Sequence, residues 1–174
     1  MFDADYAEVA QALGKSEAAC RQIVHRAKAQ IQAGKARQTV SPEVHHRLLA
    51  GFADAARRGD FAALQALLAE DAELISDGGG VVPSFGKVLA GAARIAQLFF
   101  ASWRRSELGH ETLRLELVPI NGQWGLLRFI DGRLESVHTM ETDGERITRV
   151  HIQRNPDKLQ AVAQAWARVT PPGG

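Results

Sequence analysis

The apolar positions at the start of the chain predict two helices joined by a turn. Apolar side chains recur at intervals of three and four residues at Tyr6, Val9, Ala10 and Leu13. Gly14 is expected to end this helix and Ser16 to cap a second one, as these residue types do. The second helix has an apolar stripe at Cys20, Ile23, Val24, Ala27 and Ile31. Two helices around a glycine-containing turn indicate a helix-turn-helix over residues 1–33.

The pattern changes after this segment. Residues 34–40 lack an apolar period and are predicted to be a linker. Ser41 and Pro42 are typical of a helix start, and we expect this helix to end near Arg58-Gly59. Asp60 is expected to cap a shorter helix that carries Leu64, Leu67 and Leu68. A strand over 72–76 and a helix from Gly91 to Trp103 complete this half.

Three turn dipeptides divide the remaining residues into strands. Asn121-Gly122, Asp131-Gly132 and Asp143-Gly144 accept the positive φ angles of two-residue hairpins. They predict strands over 112–120, 123–130, 133–141 and 146–154, followed by a helix from Pro156 to about Val169. Helices followed by a curved antiparallel sheet favour an α+β fold over a parallel α/β fold.

Composition and charge narrow the function classes. Of the 174 residues, 45% are hydrophobic and 24% are charged, as in ordinary globular proteins. No apolar run approaches the roughly 20 residues that cross a bilayer, the first residues lack a secretory pattern, and Cys20 is the only cysteine. We therefore expect a cytoplasmic protein without membrane association. Residues 15–40 hold six basic side chains against one acid, Glu17, which favours a polyanionic partner for this segment.

Several motifs resemble those of one bacterial protein family. The segments Asp5–Ala10 and Gly14–Gln22 resemble the end of region four in extracytoplasmic-function (ECF) sigma factors, which recognises the promoter −35 element. The later residues resemble the SnoaL-like, or nuclear-transport-factor-like, extension of one ECF subgroup. Its most specific motifs here are Asp77-Gly78-Gly79-Gly80 and Asn155-Pro156-Asp157-Lys158-Leu159. The resemblance implies a cone-shaped regulatory domain over 41–174, with three helices packed on a curved antiparallel sheet and a C-terminal helix.

The resemblance also implies missing parts. ECF sigma factors begin with region two, which binds core RNA polymerase, and have two further helices at the start of region four. Neither is present here, so the chain is expected to be a fragment that does not initiate transcription by itself. Apolar residues that would pack on the missing helices are then expected to pack on the cone domain, to form a homodimer, or to stay mobile. They are Tyr6, Leu13, Ile23, Val24 and Ile31.

The resemblance assigns DNA binding to the second helix, with promoter DNA and core RNA polymerase as partners of the complete protein. The candidate DNA-binding residues are Lys15, Ser16, Arg21, Gln22, His25 and Arg26. Arginine and lysine can neutralise phosphates or donate to guanine, and glutamine can pair with adenine. The alternative is an ordinary solvated basic helix.

The two specific motifs are assigned to regulation. Consecutive glycines can expose backbone N–H groups to a phosphate, but the motif lacks the Lys-Ser/Thr of a P-loop. We therefore expect a hinge at a strand end that contacts the sigma portion. The candidate regulatory residues are Asp77, Gly78, Gly79, Gly80, Asn155, Pro156, Asp157, Lys158 and Leu159.

The interior of the cone is a candidate binding site for an unknown small ligand. Its expected lining is Trp103, Trp124, Arg128 and His138, with Asp77 and His151 as further candidates. Some related folds are isomerases that move a proton with an Asp or a His–Asp pair. An isomerase or cyclase is therefore the alternative function, although fold alone does not imply activity. We predict no enzyme activity, no catalytic residue and no cofactor. We also predict no metal site, because His45 and His46 point about 100° apart on a helix.

Overall fold

The structure, a computed structural model, describes residues 16–18, 40–82 and 88–169. The chain divides into two units, Met1–Thr39 and Val40–Gly174. In the first unit, residues 16–18 are exposed and residues 17 and 18 are helical. The rest of the predicted helix-turn-helix lies outside the described residues. The fold described below is that of the second unit.

The first two helices of this unit begin at the predicted caps. Helix α1, Pro42–Arg58, starts where the Ser41 side chain accepts a hydrogen bond from the Val44 amide. It ends at Gly59, whose φ of 65° is a left-handed conformation that glycine adopts without strain. Helix α2, Phe61–Leu67, starts where Asp60 accepts from the Ala63 amide at 2.9 Å. Both helices confirm the predicted starts, but α2 ends at Leu67, so that Leu68, predicted to lie on this helix, is the first residue of the following strand.

Two further helices follow later in the chain. Helix α3, Ala92–Leu108, runs five residues past the predicted end at Trp103. The residues after Trp103 are mostly polar, so the apolar pattern did not predict this last turn. Ser106 within it is nevertheless buried and donates a hydrogen bond to Glu111 at 3.1 Å. Helix α4, Pro156–Val169, has the predicted bounds. The four helices and a sheet confirm the α+β fold class.

The sheet has six strands in the order β2-β1-β6-β5-β4-β3. The strands are β1 Leu68–Asp77, β2 Leu89–Ala90, β3 Leu113–Ile120, β4 Gln123–Ile130, β5 Arg133–Thr142 and β6 Ile147–Gln153. Strands β3 to β6 form the predicted antiparallel meander. The sheet differs from the expected antiparallel one in a single pair, because β1 lies parallel to β6. Strand β2 was not predicted, and β1 begins four residues before the predicted Ala72.

The turns of the meander are of two kinds. Both residues have positive φ in Asn121-Gly122 and in Asp131-Gly132, as two-residue hairpins of type I′ require. In Asp143-Gly144 only the glycine has positive φ. The Asp143 carboxylate there accepts the amides of Glu145 and Arg146 at 2.9 and 2.8 Å. The third dipeptide therefore reverses the chain through a longer turn that the aspartate side chain holds.

The sheet is covered on both faces. On one face, called here the inner face, α1, α2 and α3 pack on the main core, whose members include Leu49, Phe52, Ile95 and Val150. On the outer face, Leu159 of α4 joins a second cluster with residues from β4 and β5. This cluster consists of Leu127, Phe129, Val137 and Leu159. Strand residues therefore alternate between a site under α1–α3 and a site beside α4.

Candidate functional site

The two sequence motifs meet in space where β1 ends and α4 begins. Lys158 Nζ lies 2.7 Å from Asp77 Oδ2, and Gln153 Nε2 donates to the same oxygen at 3.0 Å. The other carboxylate oxygen of Asp77 accepts the Gly79 amide at 2.8 Å. One side chain thus ties the Asp77–Gly80 turn to the last strand and to α4. We call residues 77–80 and 155–159 together the motif junction.

Backbone contacts fix the same junction. The Arg154 amide donates to the Asp77 carbonyl at 2.7 Å. Gly79 has a φ of 64°, and a Cβ at this position would overlap the carboxamide of Asn155. The Asn155 side chain in turn accepts the Asp157 amide at 3.0 Å, at the start of α4. The glycine is therefore required by its conformation and by the close approach of Asn155.

The charge of Asp77 is stabilised by these contacts. Hydrogen bonds from Lys158, Gln153 and the Gly79 amide, with the lysine charge, lower the pKa of Asp77 to about 2. The ion pair stays open to solvent, because 44% of the Asp77 side chain and 59% of the Lys158 side chain are exposed. The pair is therefore a charged surface feature rather than part of the core.

The motif junction has a buried side and an exposed side. Gly78 and Leu159 are buried, and Leu159 belongs to the outer-face cluster. Gly79, Gly80, Pro156, Asp157 and Lys158 are exposed. The neighbouring Val81 is 71% exposed, which leaves an apolar side chain in solvent at the end of the turn. The exposed side can contact another surface without rearrangement of the core.

A second group of polar side chains lies buried on the inner face of the sheet. Arg128 Nη1 pairs with Glu135 Oε2 at 2.6 Å, and Arg128 Nη2 donates to Ser102 Oγ at 2.9 Å. Ser136 Oγ lies 2.7 Å from Glu135 Oε2 and 2.9 Å from His138 Nε2. Arg128, Ser136 and His138 are all more than nine-tenths buried. We call these five residues the inner polar cluster.

The hydrogen bonds of the inner polar cluster determine the state of His138. The single hydroxyl hydrogen of Ser136 is donated to the Glu135 carboxylate, which can only accept. His138 Nε2 must then donate to Ser136 Oγ, which leaves Nδ1 as an unprotonated acceptor. Among the described residues, no group hydrogen-bonds to this buried Nδ1. A neutral imidazole in this site therefore has one unused acceptor.

The pKa values of the cluster agree with that assignment. Burial and the positive charges of Arg128 and Arg154 lower the pKa of His138 to about 4. The negative charge of Glu135 acts to raise this pKa but is outweighed. Burial acts to raise the pKa of Glu135, but the Ser136 hydrogen bond and the charges of Arg128 and Arg154 outweigh it and lower that pKa. At neutral pH the cluster thus holds an ionised glutamate beside a neutral histidine.

The inner polar cluster borders open space. A small cavity of about 20 Å³ is lined by Trp103, Arg128 and His138 among others. A larger cleft of about 450 Å³ shares Ser102, Arg128 and His138 with it. Three of the four residues predicted for the pocket therefore come together.

The other predicted pocket residues lie elsewhere. The Trp124 ring packs edge-on against His46, with 4.6 Å between ring centroids, and lines neither space. His151 pairs with Thr139 in the sheet, whereas His138 pairs with Ile152, so the two histidines lie on opposite faces. His151 instead contacts Glu141 at 3.2 Å, and Asp77 belongs to the motif junction.

Sequence reasoning missed Ser102, Glu135 and Ser136 as members of the cluster. Ser136 could have been found, because residues two apart on a strand share a face and His138 was a candidate. Glu135 could not, because β5 has a bulge at this point. Arg128 pairs with Ser136 and Phe129 pairs with Leu134, which leaves Glu135 as the extra residue.

Most of the candidate DNA-binding residues lie outside the residues that the structure describes, so their prediction stays untested. Of the candidate DNA-binding set, only the exposed Ser16 is described. Lys15, Arg21, Gln22, His25 and Arg26 lie outside the described residues, as does Cys20. Within the described residues, no group of three or more His, Cys, Asp or Glu side chains is arranged to hold a metal ion. No helix in the described part is long and apolar enough to cross a membrane.

Comparison with known proteins identifies the relatives of the chain. No family model matches it. It is 27% identical over 161 residues to the probable ECF RNA polymerase sigma factor SigI of Mycobacterium tuberculosis, covering 91% of this chain and 51% of SigI. It is also 27% identical over 183 residues to the ECF RNA polymerase sigma factor SigJ of that organism, covering 99% of this chain and 57% of SigJ.

The fold has a solved counterpart in the same group. The crystal structure of the M. tuberculosis ECF sigma factor SigJ matches 90% of this chain and 55% of that chain, with 22% identity and a TM-score of 0.55. This likeness shows a shared fold. The chain spans about half the length of the curated relatives it matches. Its homologues are ECF sigma factors, which confirms the resemblance predicted from the motifs.

Proposed function

We propose that this homologue of the ECF sigma factors SigI and SigJ is a portion of such a factor and acts in transcription initiation. In this proposal residues 1–33 recognise the promoter −35 element, and residues 41–174 form a SnoaL-like domain that regulates the sigma activity. Core RNA polymerase and promoter DNA are the partners of the complete protein. The observation that carries the regulatory part is the motif junction.

The contacts at the junction support a common role for its two motifs. Asp77 and Lys158 are 81 positions apart in sequence, yet their side chains form one exposed ion pair. An exposed pair of this kind adds little to stability. We infer that the pair instead sets the shape and charge of the surface formed by the Asp77–Gly80 turn and the first turn of α4. We infer that this surface is the part of the domain through which the sigma activity is regulated.

The chemistry of the first unit supports the DNA-binding part of the proposal. Six basic residues lie within 15–40, against one acid. Such a segment gains affinity for DNA by releasing counterions from phosphates, so its binding weakens steeply with salt. Gln22 and Arg21 supply the groups that can distinguish adenine and guanine.

A reporter assay tests the regulatory role. Asp77→Ala in the complete sigma factor is expected to change output from its own promoter several-fold, because the Asp77–Gly80 turn loses its anchor on α4. Asp54→Ala is the matched control, since Asp54 also forms exposed ion pairs, with Arg57 and Arg58 on α1. Unchanged output with Asp77→Ala, at equal protein abundance and fold, would contradict the regulatory role.

A binding assay tests the DNA-recognition part separately. Fluorescence anisotropy of the complete sigma factor with the −35 duplex and with a scrambled duplex is expected to show a preference for the first. Arg21→Ala and Gln22→Ala are expected to reduce that preference. Lys28→Ala, a basic residue outside the candidate set, should weaken binding to both duplexes alike. Equal affinities for the two duplexes would count against −35 recognition through residues 1–33.

The alternative function, an isomerase or cyclase, requires a general base at the cavity. An efficient general base has a pKa near the working pH, whereas that of His138 is lowered to about 4. Glu135 is held by two arginines and Ser136. These features support ligand binding over proton transfer. Turnover of a steroid-like or polyketide-like substrate that is abolished by His138→Ala would instead favour the enzyme.

A further inference from the structure

We propose that the cleft beside His138 binds a small organic carboxylate that has an apolar body and a hydroxyl group. This inference goes beyond the regulatory role proposed above and does not depend on it. The cleft lies between α3 and strands β1, β4, β5 and β6, and all of its lining residues belong to the second unit.

The size and the walls of the cleft fit an organic molecule. Its volume of about 450 Å³ is within the range of small-molecule sites. The apolar part of its lining consists of Leu98, Phe99, Ala101 and Ile152. The polar part includes the inner polar cluster, whose side chains hold one another in place. Such a pairing of apolar walls with a few fixed polar groups is typical of ligand sites.

The charge of the lining favours an anion. Arg105, Arg128 and Arg154 line the cleft together with a single acid, Glu135. Glu135 is engaged by both Arg128 and Arg154. With a neutral His138, the lining has two more positive than negative charges. Arg105 is exposed in the last turn of α3, at the cleft, where its planar guanidinium can hold a carboxylate in a bidentate manner.

The unused acceptor on His138 specifies the second group of the ligand. Nδ1 is buried and has no hydrogen-bond partner among residues 40–82 and 88–169. A buried acceptor left unpaired is costly, so a ligand that donates a hydrogen bond there gains affinity. The imidazole cannot reorient easily, because Nε2 is held by Ser136 at 2.9 Å and Phe99 packs edge-on against the ring. Nδ1 is closed to solvent in this structure, so a ligand hydroxyl reaches it when side chains around the ring shift and then donates to it, which a second carboxylate cannot do.

The test uses the 174-residue chain and three defined probes. These are 4-hydroxybenzoate, 3-hydroxybenzoate and mandelate, each of which carries a carboxylate, an aromatic ring and a hydroxyl. Benzoate lacks the hydroxyl, and phenol lacks the charge. Binding is followed by NMR up to about 10 mM probe, a range that detects weak ligands. The Nδ1 signal of His138 reports directly on a hydrogen bond to that atom.

We expect at least one hydroxycarboxylate to bind saturably, to shift the His138 Nδ1 signal, and to bind more tightly than benzoate or phenol. Arg105→Ala is expected to weaken binding about tenfold or more, as loss of a charge-assisted hydrogen bond does. Arg104→Ala is the matched control, because Arg104 is exposed on the same helix but does not line the cleft. This variant should bind as the wild type does.

Three results would overturn the inference. They are no saturable binding by any of the three hydroxycarboxylates, equal affinity in Arg105→Ala and Arg104→Ala, or binding of phenol as tight as that of the acids. Because no DNA or polymerase is present, these results leave the promoter experiments unaffected. Unchanged promoter output in the reporter assay likewise has no bearing on whether the cleft binds a carboxylate.

Discussion

Lys158 Nζ lies 2.7 Å from Asp77 Oδ2, although 81 positions separate the two residues in sequence. The contact joins the end of β1 to the first turn of α4, and it connects the two motifs that marked the sequence as sigma-like. The role of Asp77 extends beyond its own turn, because Gln153 of β6 also donates a hydrogen bond to its carboxylate.

The first prediction concerns the ionisation of Asp77. Its pKa is lowered to about 2 from an ordinary 3.8, with the Lys158 hydrogen bond as the main cause. The stabilisation from the ionised carboxylate is therefore present above about pH 4 and is lost as the pH falls through 2. Lys158→Gln is expected to raise the pKa of Asp77 towards 3.8, as measured by NMR titration of the side-chain carboxyl carbon.

Asp143 is the internal control for that titration. Backbone hydrogen bonds from Arg146 and Glu145 lower its pKa, and Lys158 is not among the causes. The Asp143 titration should therefore be the same in the wild type and in Lys158→Gln. A variant in which Asp77 still titrates near 2 would show that Lys158 is not its principal partner.

The second prediction concerns Gly79. Alanine there would take a strained positive φ and would also collide with the Asn155 carboxamide. Gly80 has a similar φ of 74°, but a Cβ at that position would meet open space. Gly80→Ala is expected to cost about 1 kcal/mol from backbone strain alone, and Gly79→Ala about 1 kcal/mol or more beyond that. Urea unfolding measures the free energy of unfolding of both variants. Equal losses would mean that the Asn155 side chain moves away from the added methyl group at no cost in stability.

The meander was predictable because its signals are local. The dipeptides Asn121-Gly122 and Asp131-Gly132 place positive φ angles where the chain reverses, and the strand bounds follow within one residue. Helix caps such as Ser41 and Asp60 are local in the same way. Each of these features depends on residues a few positions apart.

The remaining features depend on contacts between distant segments. The parallel pairing of β1 with β6 joins residues more than 70 positions apart, and no local pattern encodes it. The bulge at Glu135 also escaped prediction, because it shifts the alternation that assigns side chains to faces. Trp124 was placed in the pocket for its residue type, yet the register of its strand brings it against His46. The sequence thus identified Trp103, Arg128 and His138 but not the network that connects them.

The third prediction concerns the pH dependence of stability. The pKa of His138 is lowered to about 4 in the folded protein, from 6.5 when the side chain is free. Between pH 4 and 6.5 the histidine is protonated in the unfolded chain but neutral in the folded protein. The free energy of unfolding is therefore highest above about pH 6.5 and declines as the pH falls to 4. The loss should total about 3 kcal/mol.

Urea unfolding at several pH values between 4 and 7.5 tests this dependence. His138→Gln removes the titrating group and should flatten the decline, even if it lowers the stability at neutral pH. His110→Gln, at an exposed histidine, should keep the decline of the wild type. A decline of the same size in His138→Gln would assign the effect to other groups.

The fourth prediction compares a buried ion pair with an exposed one. Arg128 is buried and is bound to Glu135 at 2.6 Å and to Ser102 at 2.9 Å, whereas Arg57 pairs with Asp54 at the surface. Arg128→Met leaves a largely buried carboxylate with Arg154 as its remaining arginine, so we expect a loss of about 3 kcal/mol. Arg57→Met should cost less than about 1 kcal/mol. Chemical unfolding of the two variants at neutral pH gives both values, and similar losses would show that the inner polar cluster does not depend on Arg128.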